Sequence, residues 1–354
     1  LPRVLWWGRF DPDYSRNRIL RKLLAELGWQ VVDFHPRFSV MGDWEAHLRG
    51  LPRPDLVWVP CFRQRDLEAA HRWAGRQGIP LVFDPLISAY DKQVDERGKL
   101  DADSKGAKRL LAWEKGLFRH ADRVLTDTPA HADYFARVLG VARERLAVVY
   151  VGAEAGLFSP TSVPDVGPDA PMEVLFYGSF IPLQGPEVVV DAARLYQGPP
   201  VRWTLLGHGP LRKACEDRAK GLDNVRFEDW LPYAQVPARV RRAHILLGVF
   251  GATPKAGRVI PNKVYQALAC GRPVVTRRAE AYPEALMAGE NVGLCWTQAG
   301  DAQDLARRVA ELTKKPENLP RLGALAAETS QRYFSEEEVR RQLGAALQGL
   351  SPNP

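Results

Sequence analysis

Short apolar runs alternate along the chain with amphipathic stretches. Val4-Leu5-Trp6-Trp7 has the length of a buried strand and is too short for a helix. After the polar loop Gly8 to Arg16, apolar residues recur at Ile19, Leu20, Leu23, Leu24 and Leu27, which predicts a helix over Asn17–Leu27 stopped by Gly28. Gln30–Phe34, Leu56–Val59, Pro80–Phe83 and Arg123–Thr126 read as further strands, with a helix through Leu67–Trp73. Strands alternating with helices argue for a parallel sheet covered on both faces.

The pattern breaks at Ser159–Pro171, which is rich in proline and poor in apolar residues, and then restarts. Val174–Tyr177 and Val201–Leu206 are strands, each running into a glycine, with a helix over Pro186–Tyr196 between them. Val225–Phe227, Ile245–Val249 and Pro273–Thr276 continue the series. The expected fold class is therefore α/β, with two doubly wound Rossmann-like domains. We place the first at residues 1–160, a linker at 161–171 and the second at 172–335. A C-terminal helix over 336–354 is expected to pack back towards the first domain. Ligands in such sheets bind beyond the carboxyl ends of the strands, so a cleft between two such domains is the expected active site.

A chain of 354 residues exceeds a single core of ordinary size. Apolar residues at 45% and charged residues at 26% exclude a disordered chain. No apolar run reaches the ~18 residues of a membrane span, and the N-terminal run is too short for a signal peptide, so the expected compartment is the cytoplasm. Cys61, Cys215, Cys270 and Cys295 lie too far apart for metal or redox spacing and are expected to be free thiols. A net charge of +7, spread over both halves, leaves anionic partners open.

Three strand ends carry candidate chemistry. Gly8, Arg9 and Arg16 follow the first strand, where glycine admits a ligand to the backbone and arginine can pair with phosphate or carboxylate. Gly178-Ser179-Phe180 leads into a helix whose free N–H groups could hold a pyrophosphate, and Gly207-His208-Gly209 follows the next strand. No G-x-G-x-x-G occurs at the first junction, so a nicotinamide cofactor is not indicated. The most informative stretch runs from Gly257 to Val275. There Lys255, Arg258 and Lys263 put cationic charge at a helix N-terminus that is already positive by its dipole, an arrangement that calls for an anion.

This stretch resembles the nucleotide-sugar site of GT-B glycosyltransferases, specifically the retaining family 4 group. The Gly178–Gly185 turn, Gly207-His208-Gly209, Phe227 to Pro232, and Pro283-Glu284 through Glu290-Asn291 to Leu294 agree in the same order. The first half is similar to the more variable acceptor domain, with Asp84 to Asp91 standing where such enzymes often carry a histidine. The sequence looks like an Ile-Pro-Asn-Lys variant of the family. Arg258 and Gln266 replace its two glutamates, and Ser179 and Gln184 replace the Arg and Lys of its phosphate turn.

The resemblance implies transfer of a sugar from a UDP- or GDP-sugar to a glycan or lipid-linked acceptor of the cell envelope, with retention and without a metal or other cofactor. Lys263 and Arg258 would stabilise the leaving diphosphate, and Asp84 or Asp91 would assist the acceptor hydroxyl. Gly178, Ser179, Phe180, Gly207, His208, Pro261 and Asn262 would line the donor site. Gln266 would sit at the ribose, and Trp230-Leu231 at the base. Two alternatives stay open: a non-catalytic relative that binds nucleotide sugar or a partner, and a nucleotide-sugar hydrolase or epimerase. No nucleic-acid motif is visible. On the helix expected between Ser104 and His120, Lys105, Lys108, Arg109, Lys115 and Arg119 share one arc, a basic face suited to anionic lipid at the inner face of the membrane.

Overall fold

All strand pairing among the described residues is parallel. The computed structural model describes residues 1–167, 170–289 and 292–350. They form two units: Leu1–Val151 with the described residues from Glu336 onward, and Gly152–Ser335. Glu290 and Asn291 of the family-like stretch, and Pro168 and Asp169 of the expected linker, lie outside the described residues.

The first unit holds β1 (Arg3–Trp7), β2 (Gln30–Phe34), β3 (Leu56–Val59), β4 (Leu81–Phe83), β5 (Arg123–Thr126) and β6 (Leu146–Val148) in the order β2-β1-β3-β4-β5-β6. Its helices are α1 (Ser15–Glu26), α2 (Gly42–Leu48), α3 (Leu67–Gln77), α4 (Ala89–Asp91), α5 (Lys105–Phe118) and α6 (Pro129–Arg137). The central strands are buried on both faces, which is why they read as continuous apolar runs. Trp6 and Trp58 stack across β1 and β3 at 5.1 Å between ring centroids. Caps set the helix starts: the Ser104 hydroxyl accepts from Ala107 N–H, and the Thr128 hydroxyl accepts from His131 N–H with Pro129 in the first turn.

The second unit holds β7 (Met172–Tyr177), β8 (Val201–Leu206), β9 (Val225–Glu228), β10 (Ile245–Leu247), β11 (Val274–Arg277) and β12 (Leu294–Thr297) in the order β12-β11-β10-β7-β8-β9. Its helices are α7 (Pro186–Leu195), α8 (Arg212–Arg218), α9 (Val236–Arg241), α10 (Asn262–Ala269), α11 (Glu284–Ala288), α12 (Ala302–Thr313) and α13 (Leu319–Phe334). The last helix, α14 (Glu336–Leu347), belongs to the first unit. It packs on α1, where Lys22 pairs with Glu336 and Arg340 with Glu26.

Sequence pattern did not reveal β6 or β12. Both are edge strands of three or four residues, partly exposed along much of their length and too short for the pattern to stand out. The second unit begins at Gly152, ahead of the segment read as a linker. Arg272 ties that segment to the second unit. Its buried guanidinium donates to the carbonyls of Thr161 and Ser162 and to the Thr161 hydroxyl, and Val163 enters the core of the second unit. The four cysteines are free. Among the described residues no helix is long and apolar enough to cross a membrane.

Candidate active site

In the second unit β7 and β8 end side by side on bare backbone. Gly178 N–H donates to Leu206 carbonyl at 3.0 Å, with φ at 147°. Gly207 has φ at 133°, and a Cβ there would collide with the Gly178 carbonyl oxygen. Only glycine satisfies both the backbone conformation and the spacing at this pair. Phe180 N–H then donates to the His208 carbonyl at 2.8 Å. The Phe180 ring is fully buried against Phe176 and Phe227, so it serves the core.

Lys263 reaches this turn from the first turn of α10. Its Nζ stands 3.6 Å from the centroid of the Phe176 ring. A Cβ on Gly178 would lie 3.2 Å from the same nitrogen. The side chain is 5% exposed, and its ammonium has no hydrogen-bond partner. Burial pushes its pKa well below the ordinary lysine value. The buried Gln184 Oε1 also has no partner, and it lies 3.7 Å from that same hypothetical Cβ. An unpaired buried cation is costly in isolation. A phosphate group brought to Gly178 would meet a donor, restore its charge, and find the α10 N-terminus favouring negative charge.

Gln266, one turn further along α10, is held at both ends. Its Oε1 accepts from Tyr177 hydroxyl at 2.8 Å, and its Nε2 donates to Tyr233 hydroxyl at 3.2 Å. Tyr233 in turn donates to Glu154 at 2.7 Å. A carboxylate at position 266 would lack the second donor, so the two tyrosines fit an amide. Pro261 and Asn262 open α10, and Arg258 follows the turn Pro254–Gly257, all partly exposed. Ser179 is exposed, and the exposed His208 pairs with Asp229 at 3.1 Å. Trp230 is exposed beside them and Leu231 partly so.

The first unit has its own polar cluster at the carboxyl ends of its strands. Arg16 is fully buried, and its Nε donates to Asp84 at 2.8 and 2.9 Å, while Nη1 donates to the Val149 carbonyl at 2.9 Å. Burial opposes the charge on Arg16, but Asp84 outweighs it and holds the guanidinium protonated. Arg16 and Asp84 are thus engaged with each other in the interior, away from the exposed Arg9 on the Gly8 loop. Gly8 N–H donates to Phe34 carbonyl at 2.9 Å, which ties the loop to β2. A second buried group was not visible in the sequence: His131 Nδ1 bonds Asp127, and its Nε2 lies 3.8 Å from Asp91. Burial works against protonation of His131, yet the two carboxylates push its pKa up to about 9. Phe62 and Leu86, just past β3 and β4, have φ of 65° and 59°. Such backbone strain in non-glycine residues clusters at functional sites. On α5, Lys105, Lys108, Arg109 and Arg119 are exposed and Lys115 partly so, while Ala107, Leu117 and Phe118 face the core.

Residues 171–315 match the family described as glycosyl transferases group 1, and residues 5–152 match the glycosyl transferase 4-like domain. Together these matches span most of both units. The chain is a glycosyltransferase of the family 4 type.

Its similarity extends to named glycosyltransferases. It is 28% identical to the putative colanic acid biosynthesis glycosyltransferase WcaL of Salmonella typhimurium, over 96% of this chain and 76% of that protein. Against WcaL of Escherichia coli it is 28% identical over 66% of this chain, and the match spans only 58% of the relative's length. The structure of Anabaena Alr3699/HepE in complex with UDP superposes with a TM-score of 0.71 at 17% identity, covering 99% of this chain and 100% of that one. Two units with parallel six-stranded sheets, matching in this way, are the GT-B fold. Within this glycosyltransferase the structure brings Gly178, Gly207, Lys263 and Gln266 together. Tyr177, Tyr233 and Glu154 escaped sequence reasoning because three separate segments bring them together: the two tyrosines meet Gln266, and Glu154 meets Tyr233.

Proposed function

We propose that this glycosyltransferase moves a hexosyl group from a UDP- or GDP-sugar to a glycan or lipid-linked acceptor of the cell envelope, on the cytoplasmic side of the membrane. The observation that carries the reading is the buried ammonium of Lys263, without a partner, against Gly178. The acceptor hydroxyl oxygen bonds to the anomeric carbon as the bond from that carbon to the β-phosphate oxygen breaks. The hydroxyl proton passes to the leaving diphosphate. Attack from the leaving-group face retains the anomeric configuration. Lys263 and Arg258, beside the Gly178 and Gly207 turns that admit the diphosphate, stabilise the growing charge, so no metal is required in this scheme.

Gln266, fixed by Tyr177 and Tyr233, is the candidate for the ribose end of the donor, and Trp230-Leu231 for the base. Asp84 acts in this reading by holding Arg16, since both side chains are buried. The basic face of α5 supplies charge for an anionic surface. UDP bound to Alr3699/HepE and the colanic acid assignment of WcaL support a nucleotide donor and an envelope acceptor.

Thermal unfolding with a panel of nucleoside diphosphates, with and without magnesium, tests the donor site. A ligand that binds only the folded state must raise the midpoint. A metal-independent rise with uridine or guanosine diphosphate is expected. No rise with any nucleotide would sink the reading.

A further inference from the structure

Past the carboxyl ends of β3 and β4 the chain turns on two bulky residues whose backbone conformation suits glycine. After β3 the Arg63 N–H donates to the Pro60 carbonyl at 3.3 Å, which closes a turn with Phe62 at φ of 65°. After β4 Leu86 has φ of 59°. Glycine is the ordinary residue at such positions. The two turns are tied together. The Phe62 N–H donates to the Pro85 carbonyl at 3.4 Å, and the Gln64 side-chain amide donates to the Ile87 carbonyl at 2.8 Å. Burial offsets the strain at Leu86, which is 8% exposed. Phe62 is 44% exposed, so neither the core nor the turn accounts for a benzyl group there.

Tyr14, just ahead of α1, fixes the Phe62 ring. The centroids are 5.1 Å apart and the planes nearly perpendicular, at 76°. Burial, and then the neighbouring Cys61, raises the pKa of the Tyr14 hydroxyl, which therefore stays protonated as a donor. The charges of Arg16, Asp127 and Asp84 also act on it. The pair thus joins an exposed ring to a phenol that senses the polar cluster at these strand ends. A pyranose has the matching chemistry. Its C–H face is electropositive against the negative face of an aromatic ring, and its rim of hydroxyls accepts from donors such as Tyr14. A prenyl or acyl chain calls for a longer apolar surface, whereas the exposed neighbours in the chain, Asp11, Asp13 and Arg65, are charged.

We propose that Phe62, held by Tyr14, is the platform on which the accepting sugar stacks, so that the acceptor ends in a pyranose rather than in a bare lipid phosphate or a ring-free polyol. This rests on the reading of the chain as a transferase with a glycan acceptor, and it places that acceptor on the first unit.

Saturation-transfer NMR with octyl glucoside, octyl galactoside and octyl mannoside, each below its micelle concentration, tests it. In the parent chain, transfer is expected to the ring C–H protons of at least one glycoside. Phe62→Gly is expected to weaken that transfer at least about fivefold, as the loss of an aromatic contact implies. Its thermal midpoint should be no lower than the parent's, because glycine adopts this φ freely. Phe62→Tyr is expected to keep the ring transfer. Both variants should retain the rise in midpoint with uridine or guanosine diphosphate, which reads the donor site separately. Absence of that rise in the parent would sink the donor reading alone. Three results would each overturn the platform. In one, Phe62→Gly gives the parent's ring transfer. In another, the parent gives none with any of the glycosides. In the third, transfer is confined to the octyl chain, which would assign Phe62 to a lipid tail.

Discussion

Lys263 holds its ammonium 3.6 Å from the centroid of the Phe176 ring, buried and with no hydrogen-bond partner. The aromatic face repays only part of the lost hydration, so the position costs stability until an anion arrives. Lys263→Met is therefore expected to raise the thermal midpoint of the ligand-free protein. The same change is expected to weaken nucleoside diphosphate binding at least about tenfold, since a charge-assisted contact contributes roughly 1.5–3 kcal/mol. Calorimetric titration and unfolding of the two proteins check this. A midpoint lowered together with unchanged binding would remove Lys263 from the site.

Proton linkage follows from the same burial. Burial holds the folded pKa of Lys263 well below its ordinary value, so the folded chain favours the neutral amine more than an exposed lysine does. A bound diphosphate favours the charged form, so binding should take up protons. Titration in two buffers of different ionisation enthalpy measures the uptake. The uptake should vanish in Lys263→Met, and equal enthalpies for the parent in both buffers would contradict the linkage.

Gly178→Ala tests the other half of this contact. The new Cβ would stand 3.2 Å from Lys263 Nζ on a backbone with φ of 147°. Strain of this kind costs about 1–3 kcal/mol. Reduced stability in urea, with donor binding lost, is expected. Full binding in a stable variant would mean the turn is not where the phosphate sits.

The amide network can be dissected with a double-mutant cycle. Gln266→Leu leaves the buried Tyr177 hydroxyl without its principal acceptor, at a cost of about 1–3 kcal/mol. Adding Tyr177→Phe should recover part of the loss, because the orphaned hydroxyl is removed. Strict additivity would show that the 2.8 Å contact is energetically idle.

His131 gives the first unit a pH-dependent stability. Its pKa is raised in the fold to about 9, so its contribution is complete below the unfolded value near 6.5 and is lost as pH rises through about 9. The loss should be on the order of 3 kcal/mol, as expected for a shift of this size. Urea unfolding across that window measures it, and His131→Gln should flatten the slope. A parent slope that is already flat would refute the assignment.

The sequence by itself determined the alternation of strand and helix, the two α/β units, and the glycines at the strand ends. Each is a local consequence: a strand buried on both faces must be apolar, and a tight approach at Gly178 or Gly207 must lack a side chain. The basic approach to α10 was legible for the same reason, since Arg258 and Lys263 are close in the chain. Only the tertiary structure decided which charges are available. Arg16 and Asp84 stand 68 residues apart in sequence and engage each other in the interior, whereas Lys263 is buried without a partner. Phe38, Trp44 and Leu48 are likewise apolar yet exposed in the fold, and burial and pairing at a distance are properties of the packed chain.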